Sequence, residues 1–212
     1  MQRTAIIILA AGGSRRLGQP KQLVEILGEP FLRRVVRMAA DVHPDHLIVV
    51  LGSRACDCVQ AIKDCGADIV VNPFWESGLA GSIRIGVERA EEEHADSVLV
   101  LLADQPWLNS AVIRQFYDRM NGRSDMLITA RYGGILGAPM MFGMDWFPKL
   151  KNLEGDQGAR SLVAEEAHRA EIIDWSDGAV DLDTPEDLAG LMQGVHSSER
   201  AFTGVEKGKL RD

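Results

Sequence analysis

The sequence predicts a single-domain α/β sandwich of three layers around a mainly parallel, mixed sheet, and three observations predict it. Short, near-continuous apolar runs recur along the chain, as expected of strands buried on both faces. Between them lie longer stretches whose apolar residues return at helical spacing, the alternation of strand–helix units around one sheet. The length, 212 residues, suits one full-sized domain.

The first run, Ala5–Leu9, is rich in isoleucine and reads as a buried first strand rather than the apolar part of a signal peptide. His46–Leu51, Asp68–Val71 and Ser97–Leu102 have the same character, and Met126–Ala130 is a weaker member. Helical spacing covers Phe31–Ala40, Arg54–Cys65, Leu79–His94 and Asn109–Asn121. After Arg131 the texture changes: Gly133, Gly134, Gly137 and Pro139 interrupt the chain before Met140–Phe142 and Asp145–Leu150 resume apolar character. This region is expected to line a second pocket. Thr184 and Pro185 open a final helix through about Gln193, as N-cap and first helical residue. The domain is thus predicted over 1–193, with a polar, frayed tail over 194–212.

Composition narrows the function classes. The formal charge of −8 gives no general affinity for nucleic acid, whose binding requires clustered Lys and Arg. No apolar stretch approaches the roughly 20 residues that span a bilayer. Cys56, Cys58 and Cys65 fit no common zinc spacing and have no histidine beside them, so they read as reduced structural thiols. A cytoplasmic protein is expected.

The strongest chemical signal is Leu9-Ala10-Ala11-Gly12-Gly13-Ser14-Arg15-Arg16-Leu17-Gly18-Gln19-Pro20-Lys21, directly after the first strand. Small residues let the backbone turn and approach a ligand, and exposed amides there cradle anions. Arg16 and Lys21 add positive charge, so the loop suits a triphosphate. Gly13 and Gly18 match part of a Walker loop, but Gln19-Pro20 stand where Lys-Ser/Thr is required. The Rossmann glycine pattern is not met either. Asp104 closely follows the Ser97–Leu102 strand, and carboxyl ends of parallel strands are where such sheets bind ligands. A carboxylate there is placed to hold Mg²⁺ against phosphates, or else to cap the following helix.

The opening loop resembles that of the molybdenum-cofactor nucleotidyltransferases, and more broadly the sugar-phosphate and methylerythritol-phosphate nucleotidyltransferases. The resemblance spans roughly 4–193. It continues through Asn72-Pro73-Phe74-Trp75, Gly78-Leu79, Ser82-Ile83-Arg84, Ala103-Asp104-Gln105-Pro106 and Gly137-Ala138-Pro139. Gly155-Asp156-Gln157-Gly158-Ala159-Arg160 and Asp181-Leu182-Asp183-Thr184-Pro185 complete it. The resemblance implies a Rossmann-like, GT-A-like fold and transfer of a nucleoside monophosphate to a small phosphorylated acceptor. It implies nucleotide binding by Leu9, Ala10, Ala11, Gly12, Gly13, Ser14, Arg16, Lys21, Asn72, Ser82 and Asp104, with Arg16, Lys21 and Asp104 catalytic. Asp104 and Asp183 would hold Mg²⁺, and Gly137, Pro139, Asp156 and Arg160 would face the acceptor. Asp181 is left between a functional and a surface role.

Within the resembling branches, Leu9-Ala10-Ala11-Gly12 sides with cytidylyl rather than guanylyl enzymes, which implies CTP in preference to GTP and a molybdopterin-type acceptor. A molybdoenzyme or its chaperone is the implied partner. No general base is required, because a phosphate monoester with second pKa of about 6 is already ionised at neutral pH. Two rival readings are a transferase for another small phosphate acceptor, and a nucleotide-binding or oxidoreductase relative without transfer. Intact Arg16, Lys21, Asp104 and Asp183 weigh against the latter.

Overall fold

The first strand, β1 (Thr4–Ala10), is buried at all seven positions. It lies between two parallel neighbours, β4 (His46–Leu51) and β6 (Ser97–Leu102). In the computed structural model, which describes residues 2–203 and side chains through 194, β5 (Asp68–Val71) forms one edge of the sheet. Beyond β6 come β8 (Ile135–Gly143), antiparallel to both neighbours, then β7 (Leu127–Tyr132) and β9 (Glu171–Asp174). The order β5-β4-β1-β6-β8-β7-β9 is the mixed, mainly parallel sheet that the sequence predicts. The chain leaves β1 toward β4 and β5, then returns to its other side at β6. That reversal opens a crevice at the carboxyl ends of β1 and β6, where open α/β sheets bind ligands.

Side-chain alternation on β1 supplies both faces. Ile6 and Ile8 pack with α1 (Phe31–Ala40), α2 (Ala55–Ile62) and α4 (Ser110–Asp118). Ala5, Ile7 and Leu9 pack with α3 (Leu79–Glu92), α5 (Phe147–Lys151) and α6 (Ala159–Glu165). Each isoleucine so buried contributes about 1.5–3 kcal/mol, and this is why these strands read as continuous apolar runs. A two-stranded ribbon, β2 (Glu25–Ile26) and β3 (Glu29–Pro30), connects the opening loop to α1 around left-handed Leu27 and Gly28. Its strands are too short to leave a period in the sequence.

Three expectations about local structure are corrected. Arg54 adopts φ of 56°, outside the helical region, so α2 starts after it. Only Gly133 and Gly134, with φ of 55° and 78°, break the chain after β7. Gly137 and Pro139 lie inside β8, because the register steps from Ala130↔Gly137 to Thr129↔Met140. The bulge leaves Pro139 unpaired in that ladder, where its missing N–H is tolerated. The last helix, α7 (Pro185–Thr203), runs past Gln193, since Gly194 alone does not end a helix. The expected tail residues 204–212 lie outside the described residues.

The helix α3 approaches the sheet through Gly86. A Cβ there would lie 2.6 Å from Ile7 Cγ2 and 3.2 Å from Val50 Cγ2. Gly86→Val is expected to cost about 1–3 kcal/mol by overpacking, read as a lower urea midpoint by circular dichroism. An unchanged midpoint would show that α3 can lift away freely.

Candidate active site

The loop after β1 is held in shape by residues whose own side chains are spent on it. Gln22, buried, donates through Nε2 to the Ala10 carbonyl (2.9 Å) and the Gly12 carbonyl (2.7 Å). Ser14 Oγ accepts from the Lys21 backbone N–H at 3.0 Å, and Leu17 anchors the loop in the core. Gly13 is a glycine for a packing reason: a Cβ would meet the Trp75 ring at 2.8 Å. Gly52 is confined in the same way, 2.6 Å from Trp75 Cβ.

Three chain segments converge below this loop. Ala103 continues the β1–β6 ladder by donating to the Leu9 carbonyl at 3.1 Å, which carries Asp104 to the crevice. The Leu182 N–H donates to the Asp104 carbonyl at 2.8 Å, drawing Asp181–Asp183 alongside. Thr184 and Asp187 then start α7 as a capping box: Asp187 Oδ2 accepts from the Thr184 N–H at 2.7 Å, and the Asp187 N–H donates to Thr184 Oγ1 at 3.2 Å. The Thr184 hydroxyl, then the Thr184 and Asp183 N–H groups, donate to the Asp187 carboxylate and hold it below the usual carboxylate range. Asp104 caps no helix, because α4 is capped by Asn109, which accepts from the Val112 N–H at 3.1 Å.

Lys21 joins the segments. Its Nζ lies 2.9 Å from Asp104 Oδ2 and 3.0 Å from Asp183 Oδ1. Burial alone would pull its pKa down, yet attraction to Asp104 and Asp183 outweighs burial and the net shift is upward. Arg16 pairs with the other Asp183 oxygen, but its side chain is 74% exposed. Such a surface pair contributes about 0–1 kcal/mol, so the guanidinium is readily redirected to a phosphate.

A hard divalent cation fits these donors. Asp104 Oδ1 is buried without a hydrogen-bond partner, and the near oxygens of Asp104 and Asp183 already converge on one cationic nitrogen. Among the described residues no three His, Cys, Asp or Glu side chains converge as a ready cage. An ion held here would therefore take its other oxygens from phosphates and water, as magnesium sites commonly do.

The cleft above these groups encloses about 630 Å³. Leu9, Ala10, Ala11, Gly12, Gly13, Ser14, Arg16, Lys21, Ser82 and Asp104 all line it. Asn72 does not: it is buried, and its Nδ2 donates to Ser82 Oγ at 3.1 Å while its Oδ1 accepts from the Phe74 N–H. Asn72 reaches the cleft only through Ser82, which it holds by that bond. A second cleft of about 340 Å³ adjoins the first and is lined by Gly137, Arg160, Tyr132 and Asp181. Asp156 borders both. Pro139 is buried in β8 and lines neither cleft.

Four contributors were given no role from sequence. Gln22 and Trp75 shape the loop, Gly78 lets α3 begin, and Tyr132 walls the second cleft. Gly78 has φ of 113°, and a Cβ on it would strike the Gly155 carbonyl at 2.2 Å. Tyr132 fits between glycines: a Cβ on Gly137 would lie 2.2 Å from its hydroxyl, and one on Gly178 would lie 2.6 Å from its ring. Only the glycines at 78, 137 and 178 left a sequence trace of these contacts. The cysteines are free; Cys58 is buried, and burial pushes its thiol up to about 11, as for a structural thiol, whereas Cys56 is exposed.

A strand-following anion loop and a carboxylate pair at the switch point of a mixed sheet define a nucleotidyltransferase-type site. Residues 6–171 match the MobA-like NTP transferase domain, and the chain belongs to that family. It is 30% identical over 199 residues to purine catabolism protein PucB of Bacillus subtilis, covering 85% of this chain and 92% of PucB. A molybdenum cofactor guanylyltransferase of Vibrio atlanticus is 27% identical, covering 88% and 94%. The crystal structure of Rv0371c from Mycobacterium tuberculosis superposes with a TM-score of 0.80 at 31% identity, covering 91% of this chain and 98% of that one. A further structure of Rv0371c, a complex with manganese, has a TM-score of 0.75 at 28% identity and covers 91% and 99%. The protein is a nucleotidyltransferase of this family. Among the described residues no helix is long and apolar enough to cross a membrane.

Asp181 gives the site a pH signature. Partial burial first, then the Asp104 and Asp183 carboxylates, push its carboxyl up to about 6. In the unfolded chain an aspartate titrates near 3.9. Between pH about 4 and 6 the folded, chelated protein holds a proton that the unfolded chain has released, so stability falls as pH rises through this window. In thermal melts with EDTA, the stability of the wild type relative to Asp181→Asn is expected to fall between pH about 4 and 6. Superimposable slopes would contradict it.

Proposed function

We propose that the protein transfers CMP from CTP to the molybdopterin form of the molybdenum cofactor, releasing pyrophosphate, with Mg²⁺ as the metal. The observation that carries this reading is the placement of the cation-bearing loop and the Asp104–Asp183 pair beside a second cleft that shares Asp156. The acceptor assignment is supported by the sequence blocks around Asp156 and Arg160, and by the guanylyltransferase relative, whose name specifies the molybdenum cofactor. The reaction is placed in the cytoplasm, with a molybdoenzyme or its chaperone receiving the product.

An acceptor phosphate oxygen attacks the α-phosphorus, and the bond from that phosphorus to the α–β bridging oxygen breaks. Pyrophosphate leaves with the electron pair. Lys21 and Arg16 neutralise the triphosphate, and the loop after β1 orients it. Asp104 and Asp183 would hold the divalent ion, which supplies charge neutralisation on phosphate oxygens when bound. Ser82 offers its hydroxyl proton to an acceptor atom on the base edge. Apolar residues of the second cleft, with Tyr132 as a flat wall, exclude water from the acceptor. Alignment and charge stabilisation are what this class of transfer requires.

GTP is the competing nucleotide, favoured by the guanylyltransferase relative. The case for CTP rests on Ala11, 7% exposed in the cleft wall, whose methyl narrows the space a purine would use. A methyl-sized difference discriminates by about 1–3 kcal/mol. The expected kcat/KM with the pterin acceptor therefore favours CTP by about tens-fold, with product identified by mass spectrometry. Equal values, or a preference for GTP, would remove Ala11 as the base-reading residue.

Asp104→Asn is expected to abolish transfer while leaving the circular dichroism spectrum unchanged. Retention of more than about a tenth of the activity, a barrier change under about 1.4 kcal/mol, would contradict the metal assignment.

A further inference from the structure

Lys21 stands where two carboxylates would meet a divalent cation. Its side chain is 14% exposed, and its ammonium contacts one oxygen of Asp104 and one of Asp183 at about 3 Å. The second Asp183 oxygen faces Arg16, and the second Asp104 oxygen is buried and unpartnered. The pair is thus largely satisfied by the chain's own cations. A divalent ion shared by both carboxylates would have to approach within a few ångströms of a positive nitrogen, or displace it.

The two cations differ in how firmly they sit. Arg16 is 74% exposed, whereas Lys21 is enclosed by both carboxylates. Lysine is a compact charge on a flexible stem, able to move from one anionic partner to another within reach of its side chain. Lys21 also lines the cleft assigned to the triphosphate.

We propose that Lys21 is a built-in counter-cation that keeps the Asp104–Asp183 pair closed to divalent metal until a triphosphate draws its ammonium away. In the free protein it holds the carboxylates together against their repulsion. When phosphate oxygens arrive, they compete for the ammonium and vacate the oxygens that a metal needs. Metal entry is thereby tied to nucleotide entry, a second role beyond neutralising the phosphates. The inference rests on Asp104 and Asp183 being the metal-holding residues of the proposed function, and not on the identity of the nucleotide or acceptor.

The test uses Mn²⁺ alone, with nucleotide-free full-length protein. Free Mn²⁺ is counted by electron paramagnetic resonance in the wild type, Lys21→Met, Lys21→Ala, Arg16→Ala and the double variant Lys21→Met/Asp104→Asn. Lys21→Met keeps the length of the stem, and circular dichroism confirms that each variant is folded. Both Lys21 variants are expected to bind one Mn²⁺ at least tenfold more tightly than the wild type. Arg16→Ala should change affinity by less than threefold, and Asp104→Asn should erase the gain. Unchanged or weaker binding in both Lys21 variants would overturn the counter-cation role, even where Asp104→Asn still lowers affinity. If the tighter binding survives Asp104→Asn, the metal assignment itself fails and the inference falls with it.

Discussion

The ammonium of Lys21 is the point on which the site is assembled. It closes the loop after β1 onto Asp104 from the end of β6 and onto Asp183 before α7. These segments are distant in sequence, and without a cation among them two carboxylates would face one another across a partly enclosed space. At an effective dielectric constant near 20, unit charges 4 Å apart interact by about 4 kcal/mol. The sign of that interaction decides whether the segments converge or separate. Around the ammonium the backbone contributes its own tie, from the Leu182 N–H to the Asp104 carbonyl.

The sheet makes that convergence available. Strands β1 and β6 are parallel neighbours whose carboxyl ends point the same way, so the loop and Asp104 emerge side by side. The antiparallel β8 then turns the wall beyond β6 into the second cleft, with Gly137 making room for Tyr132. The loop carrying Asp156 is joined to the first turn of α3, where the Ala80 N–H donates to the Gly155 carbonyl at 3.1 Å. Since Ser82 lies on the same turn, the two clefts share one mechanical element. Rigid packing beneath and short polar ties above are the division of labour that precise positioning requires.

How much of this was legible in the sequence depended on whether a feature leaves a local pattern. The strands Ile48 and Val100 belong to were legible because burial on both faces demands unbroken apolar runs. The loop after β1 was legible because small residues and cations follow a strand at once. Asp104 and Asp183 stand in motifs that the sequence displays, and the structure brings both to Lys21. For Asn72 and Pro139, a motif position does not reveal which way a side chain faces. Asn72 turns inward to Ser82, and Pro139 is sequestered by a bulge that no single-chain period announces. Gln22 escaped notice since a glutamine near a loop carries no sign of burial. Its importance appears only when its amide is seen to hold two carbonyls.

The central claim is that this cleft presents the α-phosphorus of a nucleoside triphosphate, and not the γ-phosphorus, to an acceptor in the adjoining cleft. Parallel reactions with CTP labelled at the α- or the γ-phosphate, with the pterin acceptor present, test it most directly. Label from the α-position should enter the acceptor product, while label from the γ-position leaves wholly as pyrophosphate. Transfer of the γ-label to the acceptor, or release of orthophosphate with no labelled product, would contradict the account.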